Sequence, residues 1–257
     1  MRDDGTFYAF VPYRYGPFSF ALYRELEALN HQSFLMKDDN TIRLDRSMSR
    51  ETERKIADLP SSVRSAVKTI ASRYGSTPQK SLVRDVYARF SWYATRSELT
   101  DLLPPNMPDA PAAQVAVYTV GYERESVDGF FDRVLRAGIR RIADVRANPI
   151  SRKYGFARSS LSGIAGKLGI GYRHWPQLGI PSDERAVLSD YASYQRLLDR
   201  YETEMLPNQT STLSDLCRSI LDEPTALVCV EHDVRCCHRS RLANAVAGET
   251  GLPVKHL

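Results

Sequence analysis

Residues 115–146 read VAVYTVGYERESVDGFFDRVLRAGIRRIADVR, and their texture decides the fold. Residues 115–120, VAVYTV, form an apolar, β-branched run of the kind that makes a buried strand. Residues 127–137 then place Val127, Phe130, Phe131, Val134 and Leu135 on one helical face, and Gly138 closes that helix. Residues 139–145 return to an apolar run and a second strand. Strand, helix, strand in this spacing predicts a parallel pair joined by a crossover helix.

The same alternation continues to the end of the chain. A loop, NPISRKYGFARS, leads to a helix over 161–168 closed by Gly169, then a third strand over 170–175. Residues 191–206 and 213–221 read as helices. Residues 226–231, ALVCVE, read as a strand, followed by a helix over 238–250 and a last strand over 253–257. The expected domain is α/β, a mostly parallel sheet flanked by helices, spanning residues 115–257. Before it, residues 103–114 (LPPNMPDAPAAQ) hold four prolines and no periodic apolar pattern, which marks a linker. Residues 1–102 read as a mainly helical, winged-helix-like domain. Phe18, Leu22, Leu26 and Leu29 form its first helical stripe, residues 33–44 a short two-stranded wing, and Ser49, Ser61 and Thr77-Pro78 the expected helix starts.

The chain has 257 residues, 42% hydrophobic and 26% charged, an ordinary balance for globular domains with sizeable cores. No apolar run approaches the ~20 residues that span a bilayer, so no membrane partner is expected. Met1 is followed by Arg2, Asp3, Asp4 and Gly5, unlike a signal peptide, so the expected location is cytoplasmic. The four cysteines, Cys217, Cys229, Cys236 and Cys237, cluster late in the chain and fit a reducing compartment rather than a disulfide framework. Net charge is +4, but residues 133–158 carry eight Lys and Arg against one acid, Asp144. Such a patch attracts phosphates, although a solvated helix face has the same composition.

In an open parallel sheet, ligands sit beyond the carboxyl ends of the strands. Those ends carry Tyr122; Asp144 and Arg146, with Ser151 and Arg152 in the following loop; Tyr172 and His174; and Glu231, followed by Cys236, Cys237, His238 and Arg239. A cysteine at a helix N-terminus near arginines is expected to have a lowered pKa, making Cys237 a candidate nucleophile or acid. Glu231, Asp144 and His238 are candidate proton carriers. Arg146, Ser151, Arg152 and Arg239 are candidate anion ligands, and Tyr122 and Tyr172 can stack on a base. Each has a structural alternative. Cys236 and Cys237 are also ordinary small turn residues, Asp144 and Arg146 can be a purely structural ion pair, and Tyr122 and Tyr172 can simply pack. His174 reads as a satisfied surface histidine, and Cys217 and Cys229 as core. Neighbouring residues rarely point at one ion and a structural zinc site takes four ligands, so no metal and no cofactor are expected.

The series YTVGY (118–122), IADVRxxPxSR (142–152), GIGY (169–172), Leu178-Gly179 and CVEx5CHR (229–239) resembles the domain-of-unknown-function 488 family over residues 115–257. The resemblance implies a compact α/β domain with Asp144, Arg146, Ser151, Glu231, Cys237, His238 and Arg239 at motif positions. The family usually places a second glycine after Leu-Gly, where this chain has Ile180-Pro181, so that loop is expected to differ. Residues 7–19, FYAFVPYRYGPFS, are similar to the helical, winged-helix-like domains of Panacea-type antitoxins. Those domains usually begin with a helix before the Tyr-Gly-Pro turn, which here is expected to be missing or replaced by packing from another chain.

These readings lead to an enzyme directed at nucleic acid, acting on a nucleotide, base or other anionic group, in a setting of bacterial defence or repair. Residues 1–102 would bind DNA or a protein partner. The alternatives are a non-catalytic DNA-binding regulator whose C-terminal domain senses an anionic ligand, and an antitoxin-like scaffold. The sequence predicts that Asp144, Arg146, Arg152, Glu231, Cys237 and Arg239 line one pocket.

Overall fold

The computed structural model describes residues 7–38, 41–45, 47, 49–185 and 190–257. The chain start, on which the leader and missing-helix expectations rest, and residues 39–40 lie outside the described residues. The chain divides into two compact units, Met1–Asp109 and Ala110–Leu257.

The first unit is largely helical. A hairpin of β1 (Val11–Tyr13) and β2 (Gly16–Phe18) leads into α1 (Phe20–His31). Ser19 caps α1 by accepting from the Leu22 amide. The periodicity reading missed this hairpin because Pro12 and Pro17 argue against strands. In a two-stranded ribbon, however, prolines sit on open edges. The two strands expected over residues 33–44 form an antiparallel pair, β3 (Leu35–Asp38) and β4 (Thr41–Leu44). Three helices follow: α2 (Ser49–Ala57), α3 (Ser61–Tyr74) and α4 (Gln79–Arg89). The expected caps are corrected. Ser49 and Ser61 are the first helical residues, and Pro60 and Pro78 hold the cap positions of α3 and α4 without side-chain cap bonds. The Thr77 hydroxyl instead donates to the Arg73 carbonyl, at the end of α3. Tyr87, Ala94 and Leu102 form a small core, against which Leu103 and Met107 of the proline-rich stretch pack.

The second unit is a five-stranded sheet, every pair of it parallel. Its strands are β5 (Val117–Gly121), β6 (Arg141–Asp144), β7 (Gly171–His174), β8 (Thr225–Cys229) and β9 (Val254–His256), in the spatial order β7-β6-β8-β5-β9. The helices are α5 (Val127–Arg136), α6 (Arg158–Lys167), α7 (Tyr191–Arg200), α8 (Thr210–Asp222) and α9 (His238–Thr250). From β5 to β6 to β7 the chain moves one way across the sheet. From β7 to β8 and from β5's neighbour β8 to β9 it moves back. Because parallel crossovers are right-handed, α5 and α6 cover one face and α7, α8 and α9 the other. The core agrees: Val117, Ala143, Val145, Leu227 and Cys229 pack with Leu197, Leu216, Ile220, Leu242 and Val246 of α7 to α9.

This topology positions the site. The chain leaves β5 and β6 towards one face and leaves β8, which lies between them, towards the other. That is a topological switch, the place where open α/β sheets bind ligands.

Candidate functional site

Period-two alternation divides the predicted residues between the two faces at this edge. Asp144 and Arg146 point towards the α5/α6 side. Val145 between them points into the α7–α9 core, which also holds Cys229 and Cys237. The expectation of one shared pocket is therefore corrected. There are two polar clusters, back to back across the end of β6.

The first cluster is built around a buried ion pair. Arg146 is 1% exposed and Asp144 0%. The guanidinium meets both carboxylate oxygens, Nε to Oδ1 at 2.7 Å and Nη2 to Oδ2 at 2.5 Å. Its Nη1 donates to the Tyr122 hydroxyl and to the Phe156 carbonyl, both at 2.8 Å. Burial works against the arginine's charge, but Asp144 outweighs it and holds the pKa above the usual value. Nearly every donor of Arg146 is engaged within the protein, so it acts as a bracket between β6 and the loop ending at Phe156 rather than as an anion ligand. Tyr122 stacks on Phe156, ring centroids 4.1 Å apart, and its hydroxyl also interacts with Ser151. Burial raises the Tyr122 pKa.

Tyr172 completes this cluster from β7. Its hydroxyl donates to Asp144 Oδ2 at 2.6 Å. Tyr172 is only half-buried, so it connects a sealed carboxylate to the surface. Burial first, then the hydrogen bond to Asp144, raises its pKa and keeps the phenol neutral. Arg158, at the start of α6, is exposed and close enough to act on the Tyr172 hydroxyl electrostatically. Arg152 is exposed in the loop above. Lys153 ties that loop down, its Nζ donating to the Tyr122 and Glu123 carbonyls. His174 binds the Arg146 carbonyl through Nε2 at 2.8 Å, as expected of a satisfied histidine.

The second cluster lies at the end of β8 and the start of α9. Cys229 Sγ is 3.2 Å from Glu231 Oε2 and 3.7 Å from His238 Nδ1. Glu231 lies past the end of β8, two residues beyond Cys229, and is half-buried. Burial opposes the charge on Glu231, but bonds from Cys237, its own backbone and Cys229 outweigh it and lower the pKa. Cys237 is 1% exposed, and burial pushes its thiol well above the ordinary value. The expectation of a lowered pKa is corrected, because desolvation of a thiolate here exceeds what a helix terminus supplies. Arg239 is buried too, and donates to the Glu231 and His232 carbonyls, fixing the loop after β8. Like Arg146 it is occupied internally.

Sequence reading missed Cys229 as part of this cluster, having placed it among core residues. Its position two residues before Glu231 in the run ALVCVE was the available signal. It also missed Lys153 and Arg158, which lie within the predicted loop NPISRKYGFARS.

Residues 126–246 match the family model described as Domain of unknown function DUF488. No curated protein and no solved structure matches the chain.

Proposed function

We propose that the C-terminal domain, which matches the DUF488 family model over residues 126–246, is a hydrolytic enzyme acting on an anionic, nucleotide-like substrate at the carboxyl edge of its sheet. The observation that carries this reading is the Tyr172–Asp144 bond: the hydroxyl of a half-buried tyrosine backed at 2.6 Å by a fully buried carboxylate. The phenol donates its proton to Asp144, so its lone pairs face outward. A water attacking a phosphoryl or glycosidic centre passes a proton to the Tyr172 oxygen while Tyr172 passes its own to Asp144. The bond to the leaving oxygen or base breaks, its electron pair departing with that group, which takes a proton from solvent. Arg146 holds the carboxylate in place and balances its charge. Ser151, Arg152 and Arg158 receive the anion, since they lie around the same loop and reach the surface. Cys237 is not the nucleophile in this scheme, because a sealed, protonated thiol attacks poorly. The four free cysteines accord with a reducing, cytoplasmic location.

The test is turnover of a nucleotide and oligonucleotide panel, followed by mass spectrometry. Tyr172→Phe keeps the ring and removes the relay. It is expected to lower kcat by about 100-fold or more, with binding retained. Equal turnover by Tyr172→Phe, or no turnover of any panel member by the native chain, contradicts the proposal.

A second reading is favoured by the N-terminal unit. Helices α2 and α3 bury no residue, and Ile56, Val67 and Ile70 are 50%, 60% and 58% exposed. Apolar side chains on a winged-helix-like unit suit a protein partner better than a DNA phosphate backbone. On this reading the chain is an antitoxin-like scaffold or regulator in bacterial defence or repair, and the C-terminal domain senses its anionic ligand without turnover.

A further inference from the structure

We propose that Cys229, Cys237 and His238 are the protein ligands of a mononuclear site for a zinc-type divalent cation, with the fourth position left to water or another small ligand. The proposal is independent of the Tyr172 relay, which lies on the other face of the sheet.

Geometry is the first argument. One ligand atom from each of the three residues lies within 4.8 Å of the others, and all three residues are buried. Cys229 Sγ and His238 Nδ1 are 3.7 Å apart. Zinc bonds of about 2.3 Å to sulfur and about 2.0–2.1 Å to nitrogen, at a tetrahedral angle, place those atoms about 3.6 Å apart. Glu231 Oε2 lies 3.2 Å from Cys229 Sγ, a carboxylate at the rim of this three-ligand set.

The orientation of the imidazole is the second. His238 Nε2 lies 3.0 Å from the Val145 carbonyl oxygen. A carbonyl only accepts, so Nε2 carries the hydrogen and Nδ1 turns its lone pair to the sulfurs. Main-chain carbonyls fix metal-ligating histidines in this way.

Local backbone explains how neighbours converge. Cys237 is extended, at φ −132° and ψ 134°, while His238 opens α9. The change of conformation between them brings both side chains to the same side, against the usual divergence of adjacent residues.

Charge is the last argument. Two thiolates and a divalent cation together are neutral. A buried cation is costly unless balanced, and this assembly balances it.

The full chain, purified reduced, is analysed for metal by mass spectrometry after exhaustive dialysis, then stripped and titrated with Co²⁺ as the probe. About one metal per chain is expected, with a near-ultraviolet sulfur-to-cobalt charge-transfer band and the intense visible bands of four-coordinate cobalt. Cys217→Ser and Cys236→Ser keep both signals. Cys237→Ser, with folding followed by circular dichroism, drops the stoichiometry below roughly a tenth. If that variant fails to fold, the native cobalt spectrum decides alone. A native chain without the charge-transfer band, or a folded Cys237→Ser with full stoichiometry, overturns the proposal. Loss of metal with intact Tyr172-dependent turnover would leave the hydrolytic reading standing.

Discussion

Replacing Arg146 with alanine lowers the stability of the α/β unit by about 3–5 kcal/mol, because it strands a carboxylate in a dry interior. Asp144 is 0% exposed, and it holds two of its hydrogen bonds through Arg146 side-chain nitrogens. Removing the guanidinium also releases the Phe156 carbonyl and the Tyr122 hydroxyl, so the loop from 147 to 157 loses one of its anchors. For a unit of this size the melting temperature falls by roughly 10 °C. The two tryptophans allow the units to be followed separately. Trp175 is buried in the α/β unit and Trp92 lies in the helical one. In a Trp92→Phe background, Trp175 fluorescence reports the α/β transition alone. The pair Asp144→Leu with Arg146→Met removes both charges together and is expected to cost less than Arg146→Ala alone. An Arg146→Ala midpoint within about 2 °C of the native one contradicts a sealed ion pair.

Gly121→Ala is the second severe change, and its cause is steric. A Cβ on Gly121 would stand 1.9 Å from the Glu231 carbonyl oxygen, 2.8 Å from its carbon and 3.0 Å from Arg239 Nη2. Main chain cannot swing aside like a side-chain tip. The ends of β5 and β8 are further pinned by the Tyr122 and Glu123 amides, which both donate to the Val230 carbonyl. Accommodating one methyl therefore forces the two strand ends apart, at a cost of about 3 kcal/mol, the upper end for overpacking. The displaced segment carries Glu231, so the cysteine–histidine cluster is disturbed as well. Urea unfolding of Gly121→Ala followed at Trp175 measures the cost. An unchanged midpoint contradicts the close approach of these loops.

The second unit's architecture was readable because its strands are apolar runs and its helices carry apolar stripes, as in residues 115–146. The all-parallel pairing and the α9 span, 238–250, follow from that pattern. Gly179 in the Leu-Gly motif also has a plain steric meaning, since a Cβ there would meet the Ala147 amide nitrogen at 2.1 Å. What composition concealed was direction. Arg146 and Arg239 look like anion ligands in one dimension, yet both spend their donors on the protein. A sequence does not reveal whether a guanidinium faces outward. The split of Asp144 and Arg146 from Cys229 and Cys237 was latent in the strand alternation, but required the strand order and crossover hand to be applied together. The β1–β2 hairpin was hidden because Pro12 and Pro17 mask strand character that an isolated ribbon tolerates.

The most direct test of the account is a calorimetric titration of the full chain with nucleoside mono-, di- and triphosphates at low and high salt. The carboxyl-edge site predicts binding that weakens as salt rises and that falls at least about 10-fold when Arg152 and Arg158 are both replaced by alanine. Equal affinity in the double variant, or no heat from any of these anions at low salt, contradicts it.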